Sequence, residues 1–300
     1  MFEFFGEMWS FDFMRRAFVA TTVLSASVAP VGAFLVLRRL SLAGEAMAHA
    51  ITPGVVIGFV TAGLSVFSLL IGGLIAGVVV AVLTALIARK TILRSDASLA
   101  SLYLIALAAG IFILSAAGSA VPLKSFLFGS ILGIDDASML LIAAVATVTL
   151  VSFAVLLRPL IVSTCDPVFF EAQNRRPWLI EQAFMLLVVL NLLATFKTLG
   201  TLMAVGLMIL PATSARYWSS TITGQLAIGF LFALASCWIG LTLSYVFPET
   251  PSGPAIVLTA GVIFMISALL GPLGFGGRFY KASARSSSSL SQPSTEERPQ

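Results

Sequence analysis

The chain has 300 residues, of which 59% are hydrophobic and only 10% charged, and its mean hydropathy is +1.05. Soluble domains carry about 25% charged residues, so this composition excludes a soluble globular protein and implies one built into a membrane. The formal charge of +4 is too modest to call for nucleic acid as a partner.

Crossing a bilayer core takes roughly 20 apolar residues in a helix. The apolar runs predict nine spans, at 17–37, 43–63, 68–88, 98–117, 137–157, 178–196, 199–215, 225–247 and 255–273. A transmembrane barrel would need segments of about ten residues that alternate apolar and polar; "LIGGLIAGVVVAVLTALIA" does not alternate. The fold class is therefore an all-α integral membrane protein, a polytopic bundle of about eight or nine transmembrane helices. We expect residues 1–275 to form one transmembrane domain and 276–300 a disordered cytosolic tail, because the Ser- and Pro-rich "ASARSSSSLSQPSTEERPQ" cannot bury enough apolar surface to offset its ordering entropy.

The first fifteen residues, "MFEFFGEMWSFDFMR", mix Glu3, Glu7 and Asp12 with apolar side chains. A signal peptide has a basic start and an uninterrupted apolar core, so this segment reads as an amphipathic lead-in.

The second span opens with "RRLSLAGEAMAHAITPG", where Glu45 lies four residues before His49, the one histidine of the chain. On a helix, residues four apart share a face, so the pair can point at one small volume. Ionisable groups at membrane depth cost about 2.5–3.5 kcal/mol each on insertion scales and mark ion or proton pathways. Imidazole with carboxylate suits a transition metal such as Zn, Mn or Fe rather than the oxygen shells of Ca or Mg. Pro53 and Gly54 follow; together they predict a helix break that frees carbonyls. The residues alone leave a plainer alternative, with Glu45 near the headgroups beside Arg38 or Arg39 and His49 bonded to a neighbouring helix. An intramembrane metalloprotease is a poor match, since it needs H-E-x-x-H and the chain spells E-A-M-A-H.

Between spans four and five, "VPLKSFLFGSILG" is a candidate re-entrant segment. Cys165 and Cys237 are far apart in the chain and suggest neither a disulfide framework nor a thiolate site. After span five comes "RPLIVSTCDPVFFEAQNRRPW". Asp166 is placed as an N-cap, Pro167 at the first helical position and Glu171 early, with Arg175 and Arg176 closing the end and Pro177 stopping it; this predicts a short interfacial helix. Val168, Phe169 and Phe170 are expected to be exposed on it, either to fill a groove on a partner or to dip into lipid.

The seventh span, "KTLGTLMAVGLMILPATSAR", contains Gly200, Gly206 and Pro211 and ends at Arg216, a composition that permits close helix approach or a kink. The last span begins at a turn containing Gly253 and Pro254, with Glu249 as a candidate helix-start acid. The pairs Gly54/Gly58, Gly73/Gly77 and Gly129/Gly133 fit the small-xxx-small packing pattern. With nine spans and the N-terminus outside, the inner loops collect 13 of the 17 basic residues. Since cytoplasmic loops are rich in Lys and Arg, this predicts an N-out, C-in protein.

In combination and in order, these stretches resemble the membrane permease subunits of the zinc/manganese/iron-type ABC metal importers. That family's basic pair and "G-[D/E]-x-x-x-H-A" segment are matched by Arg38, Arg39, Gly44, Glu45, His49 and Ala50, followed by Pro53 and Gly54. Its "K-T-x-G-x-L…I-L-P-A-x-x-A-R" segment is matched at Lys197, Thr198, Gly200, Leu202, Leu210, Pro211, Ala212, Ala215 and Arg216. Its "P-x-G-P-x-I-V-L" segment falls at Pro251, Gly253, Pro254, Ile256, Val257 and Leu258, with the "F-G" element at Phe128 and Gly129 and the "D-P" loop at Asp166 and Pro167. The chain departs from the pattern in having Glu at position 45, where Asp is usual, Ser130 after the "F-G" element, and Asn174–Arg175–Arg176 at the end of the loop.

The resemblance implies a transport subunit rather than an enzyme, with ATP hydrolysed by a separate chain, in the cytoplasmic membrane of a prokaryote. It implies no permanently bound cofactor, a transported divalent metal (Zn or Mn, with Fe as a further choice), and Glu45 and His49 on the translocation path. The segment Asp166, Pro167, Val168, Phe169, Phe170 and Glu171 would be a cytosolic coupling helix. Pro53, Gly54, Gly200, Pro211, Arg216, Gly253 and Pro254 would have structural or gating roles. The implied partners are cytosolic ATP-binding subunits, an extracytoplasmic metal-binding protein, a second permease subunit in a homodimer or, alternatively, a heterodimer, and membrane lipid. No G-x-x-x-x-G-K-[ST] loop occurs, so the driving energy comes from another chain or from an ion gradient. A stand-alone secondary metal transporter and a non-transporting membrane scaffold are the rival readings.

Overall fold

The computed structural model describes residues 9–63, 65–117, 133–173, 177–247 and 250–275. The segment around Phe128, Gly129 and Ser130, Arg175 and Arg176, Glu249 and the tail 276–300 lie outside the described residues. Among the described residues, eleven helices follow in chain order: α1 Asp12–Leu37, α2 Ser41–Ala50, α3 Thr52–Ala62, α4 Val66–Lys90, α5 Ser95–Ala116, α6 Asp136–Cys165, α7 Pro167–Gln173, α8 Pro177–Leu199, α9 Thr201–Arg216, α10 Ile222–Val246 and α11 Ser252–Leu270. Among the described residues, eight helical segments are long and apolar enough to cross a membrane, with α2 and α3 together making one of them.

The seventh predicted span, α9, has 16 residues and is about 24 Å long at 1.5 Å per residue, short of the roughly 30 Å hydrocarbon core. Its setting explains the tolerance. Met203, Ala204, Leu207, Met208, Ala212 and Ala215 are all buried among α1, α10 and α11, so protein rather than lipid solvates it. Gly206 sits against Val257 of α11, and a Cβ on Gly32 of α1 would lie 1.9 Å from the Met208 carbonyl oxygen.

Several boundaries differ from the expectations. The lead-in predicted for 1–15 is already helical from Asp12. The fifth span, expected to end near 157, runs on to Cys165 through an internal Pro159, which removes one backbone donor. The second span is two helices, because Pro53 cannot donate to the His49 carbonyl one turn earlier and the chain bends at Ile51–Thr52.

Packing divides the bundle into two groups. Helices α1, α9, α10 and α11 pack on one another, as do α3, α4 and α5; α8 packs on both groups, and α6 packs on α1 and α8. Helix α2 touches α1, α4, α5, α8 and α9, so it occupies the seam between the groups. The crossing of α3 and α4 is close: a Cβ on Gly54 would lie 2.0 Å from the Gly72 carbonyl oxygen, and one on Gly58 would lie 2.4 Å from that of Ser68. Gly73 and Gly77 bring α4 equally close to Leu193 and Val189 of α8. Small residues act here as they do at membrane helix interfaces generally, where close van der Waals approach replaces the missing hydrophobic drive.

Candidate functional site

Helix α2 turns two different faces to its surroundings. Ala43, Gly44, Ala46, Met47, Ala48 and Ala50 are buried, and their small size lets α2 sit close to its neighbours at the seam. Leu42 and Glu45, one turn apart, are exposed on this protomer, and His49, the next turn on, is half-buried. The two expected metal ligands thus lie along one outward-leaning stripe of a central helix. Among the described residues, no hydrogen bond or ion pair joins Glu45 to His49, and no group of three or more His, Cys, Asp and Glu is placed to hold a metal ion. His49 instead stacks near Tyr103 of α5, with ring centroids 6.2 Å apart and planes 30° apart. Sequence reasoning missed Tyr103, which lies 54 residues away and shows no periodic signal.

Just beyond His49, Gly110 of α5 packs directly on the bend: a Cβ there would lie 3.1 Å from the Pro53 nitrogen and 3.2 Å from its Cα. The Pro53 and Gly54 pair therefore shapes the bend and its packing at once, Pro53 by lacking a donor and Gly54 by admitting α4.

The turn leading into α2 is a Schellman motif. The Leu40 N–H donates to the Leu35 carbonyl and the Arg39 N–H to that of Val36, and Arg39 takes the left-handed conformation with φ 59°, the only non-glycine to do so among the described residues. Arg38, the C-cap, is partly buried. Its Nε donates to Thr164 Oγ1 at 3.2 Å, its Nη2 donates to Ser163 Oγ, and its guanidinium lies 5.1 Å from the ring centre of Phe184. Burial lowers its pKa from the ordinary arginine value, and the nearby Glu181 carboxylate opposes that shift. Arg216, at the end of α9, reaches the same turn through Nη1, which donates to the Val36 carbonyl at 3.4 Å. Pro211, one turn and a residue earlier, is buried within α9.

At the same end of the bundle, α7 follows α6 across the single residue Asp166. The Asp166 carboxylate accepts from the Phe169 N–H at 2.9 Å, and Pro167 takes the first helical position, where a missing N–H costs nothing. Val168 is 78% and Phe169 53% exposed, and Glu171 is exposed as well. The expectation for Phe170 is corrected: it is only 4% exposed. Consecutive helical residues point about 100° apart, so Phe170 faces inward where α7 packs on α6 while Phe169 faces out.

At the opposite end, α8 and α9 meet at Gly200, whose φ of +86° is left-handed backbone that glycine adopts at least cost. Gly253 is buried in the first turn of α11, and Pro254 there falls among the first four positions, whose N–H groups have no intrahelical partner.

A family model described as the ABC 3 transport family matches residues 10–271. The chain belongs to the ABC 3 transport family. This ABC 3 permease is 28% identical over 270 residues to the "Manganese import system permease protein ScaB" of Streptococcus parasanguinis, a match that covers 90% of this chain and 95% of that one. It is 28% identical over 269 residues to the "Manganese transport system membrane protein MntC" of Listeria monocytogenes, covering 90% and 94%. Among solved structures it is similar to "PsaBC from Streptococcus pneumoniae in complex with Fab", with a TM-score of 0.81 and 27% identity, over 94% of this chain and 99% of that chain. The multi-pass helical architecture derived above is thus that of a permease of this family.

Proposed function

We propose that this permease subunit conducts a divalent transition-metal ion into the cytoplasm, manganese in preference to zinc or iron, with Glu45 and His49 as ligands on the path. The observation that carries the reading is their placement: a carboxylate and an imidazole one turn apart on α2, the helix at the seam between the two helical groups. An ionisable pair is retained at membrane depth where it serves a pathway. Manganese is favoured by the names of the relatives.

One protomer leaves the stripe of Leu42, Glu45 and His49 partly uncovered, and a second copy of the chain would cover it and supply further ligands. The exposed Val168 and Phe169 would dock on cytosolic ATP-binding subunits, which supply the energy; this chain hydrolyses no nucleotide itself. An extracytoplasmic metal-binding protein would deliver the ion to the other face. The orientation, N-terminus outside and C-terminus inside, rests on the bias of basic residues toward the end that carries α7.

Uptake of Mn2+ into proteoliposomes holding the assembled complex tests the reading. Glu45→Ala and His49→Ala are each expected to cut uptake by at least about 10²-fold, as loss of an organised ligand shell does, with assembly unchanged. Gradient-driven uptake by the lone chain would move the assignment to a secondary transporter. Undiminished uptake by both variants would leave only a scaffold.

A further inference from the structure

Arg38 joins three elements at one end of the bundle. Through Nε and Nη2 it grips Thr164 and Ser163 in the last turn of α6, and through its guanidinium face it lies against Phe184 in the early part of α8. These two helices flank α7 in the chain. Its own backbone belongs to the Schellman turn that starts α2.

The grip is stiff on both sides. Both hydroxyls are oriented by bonds to the Leu160 carbonyl, at 3.0 Å from Ser163 and 2.6 Å from Thr164, so their lone pairs are held ready for the guanidinium. The turn is closed by two backbone bonds, and Arg216 tethers it to α9 through the Val36 carbonyl. A cation at the C-terminal end of α6 is also favoured by that helix's dipole. A planar guanidinium with a fixed fork of donors transmits displacement in a way that a single-point ammonium on a flexible stem does not. Helix α2 starts at Ser41, just past this turn, and Glu45 lies four residues on, about 6 Å along the helix at 1.5 Å per residue.

Building on the metal-transport reading, we propose that Arg38 is a positioning residue that carries movement of α7 to α2, so that the ends of α6 and α8 reset Glu45 and His49 when the ATP-binding subunits close. Glu181 in the first turns of α8 acts on the guanidinium by charge, with no ion pair between them among the described residues.

The test uses the complete complex, this chain with its ATP-binding subunit, in proteoliposomes supplied with ATP and Mn2+. Arg38→Lys keeps the charge and removes the fork; Ser163→Ala with Thr164→Val keeps Arg38 and removes its acceptors. ATP hydrolysis, Mn2+ uptake and the thermal midpoint of the complex are measured on the same preparations. Both variants are expected to hydrolyse ATP within about twofold of the unaltered complex while Mn2+ imported per ATP falls about tenfold, within the range of coupling between sites. An unchanged ratio in both variants overturns the proposal. So does a lowered midpoint with hydrolysis and uptake falling together, since that is what a mere staple would produce. Hydrolysis without Mn2+ import by the unaltered complex would instead defeat the metal reading beneath it.

Discussion

Gly44 and Gly54 belong to the same motif in the sequence, yet they do different things. A Cβ on Gly44 would meet only side-chain carbons, Leu35 Cδ1 at 3.5 Å and Ile209 Cδ1 at 3.8 Å, which are ordinary contacts. Glycine inside a helix costs roughly 0.5–1 kcal/mol relative to alanine, so Gly44→Ala should raise the melting temperature in detergent. Gly54→Ala should lower it, because its methyl would run into the Gly72 backbone; a rise there would refute the close crossing. Arg39 presents the reverse case, since its φ of 59° places a side chain where glycine is favoured. Arg39→Gly is expected to gain up to about 1 kcal/mol in unfolding free energy, less than the full cost of the left-handed backbone because glycine also loosens the unfolded chain. Among the residues around the site, Glu45 and His49 were legible from their chemistry in an apolar run. Tyr103 was not, because its importance arises only from the packing of α5 beside α2.

At the scale of elements, α7 shows how far local rules reach. The cap, the proline and the following acid predicted a short helix at the right residues, and the Asp166 carboxylate does cap the Phe169 N–H. Which of two adjacent phenylalanines faces out was not decided locally; it follows from how α7 leans on α6. Substitutions should therefore separate them. Val168→Asp with Phe169→Asp should release the ATP-binding subunit in pull-down without changing the melting temperature of the permease. Phe170→Asp should destabilise the permease itself, by several kcal/mol for a charge forced into an apolar contact. Equal effects from both sets would undo the assignment of faces. Helix α9 carries the same lesson in another form: 16 residues suffice because protein surrounds it, a fact its own sequence does not state.

For the whole molecule, the division into two helical groups with α2 at the seam makes the stripe of Leu42, Glu45 and His49 a surface that one copy leaves partly uncovered. If two copies meet there, Leu42→Cys in a chain with Cys165 and Cys237 replaced by serine should form a disulfide-linked dimer on mild oxidation, seen by non-reducing electrophoresis. Cysteine at Leu258, exposed on α11, should not. Dimers from Leu258 and none from Leu42 would place the interface elsewhere. Buried polar links within each copy, such as Asn191 of α8 donating to Thr149 Oγ1 of α6 at 2.8 Å, hold α6 to α8; in a membrane each such bond contributes about 0.6 kcal/mol.

Composition, with the length and unbroken pattern of the apolar runs, determined that the chain is a helical membrane protein, since apolar length must match bilayer thickness and backbone groups in lipid must be paired internally. The order of its motifs likewise pointed to the permease family, because capping, helix breaking and ionisable pairs are short-range chemistry written in neighbouring residues. Only the tertiary structure decided which helix lies at the centre, which phenylalanine points outward, and that Arg38 spans three helices. Those depend on contacts between residues far apart in the chain, such as Arg38 with Phe184, 146 positions on. In a chain that is apolar on nearly every helix face, hydrophobic periodicity no longer tells inside from outside.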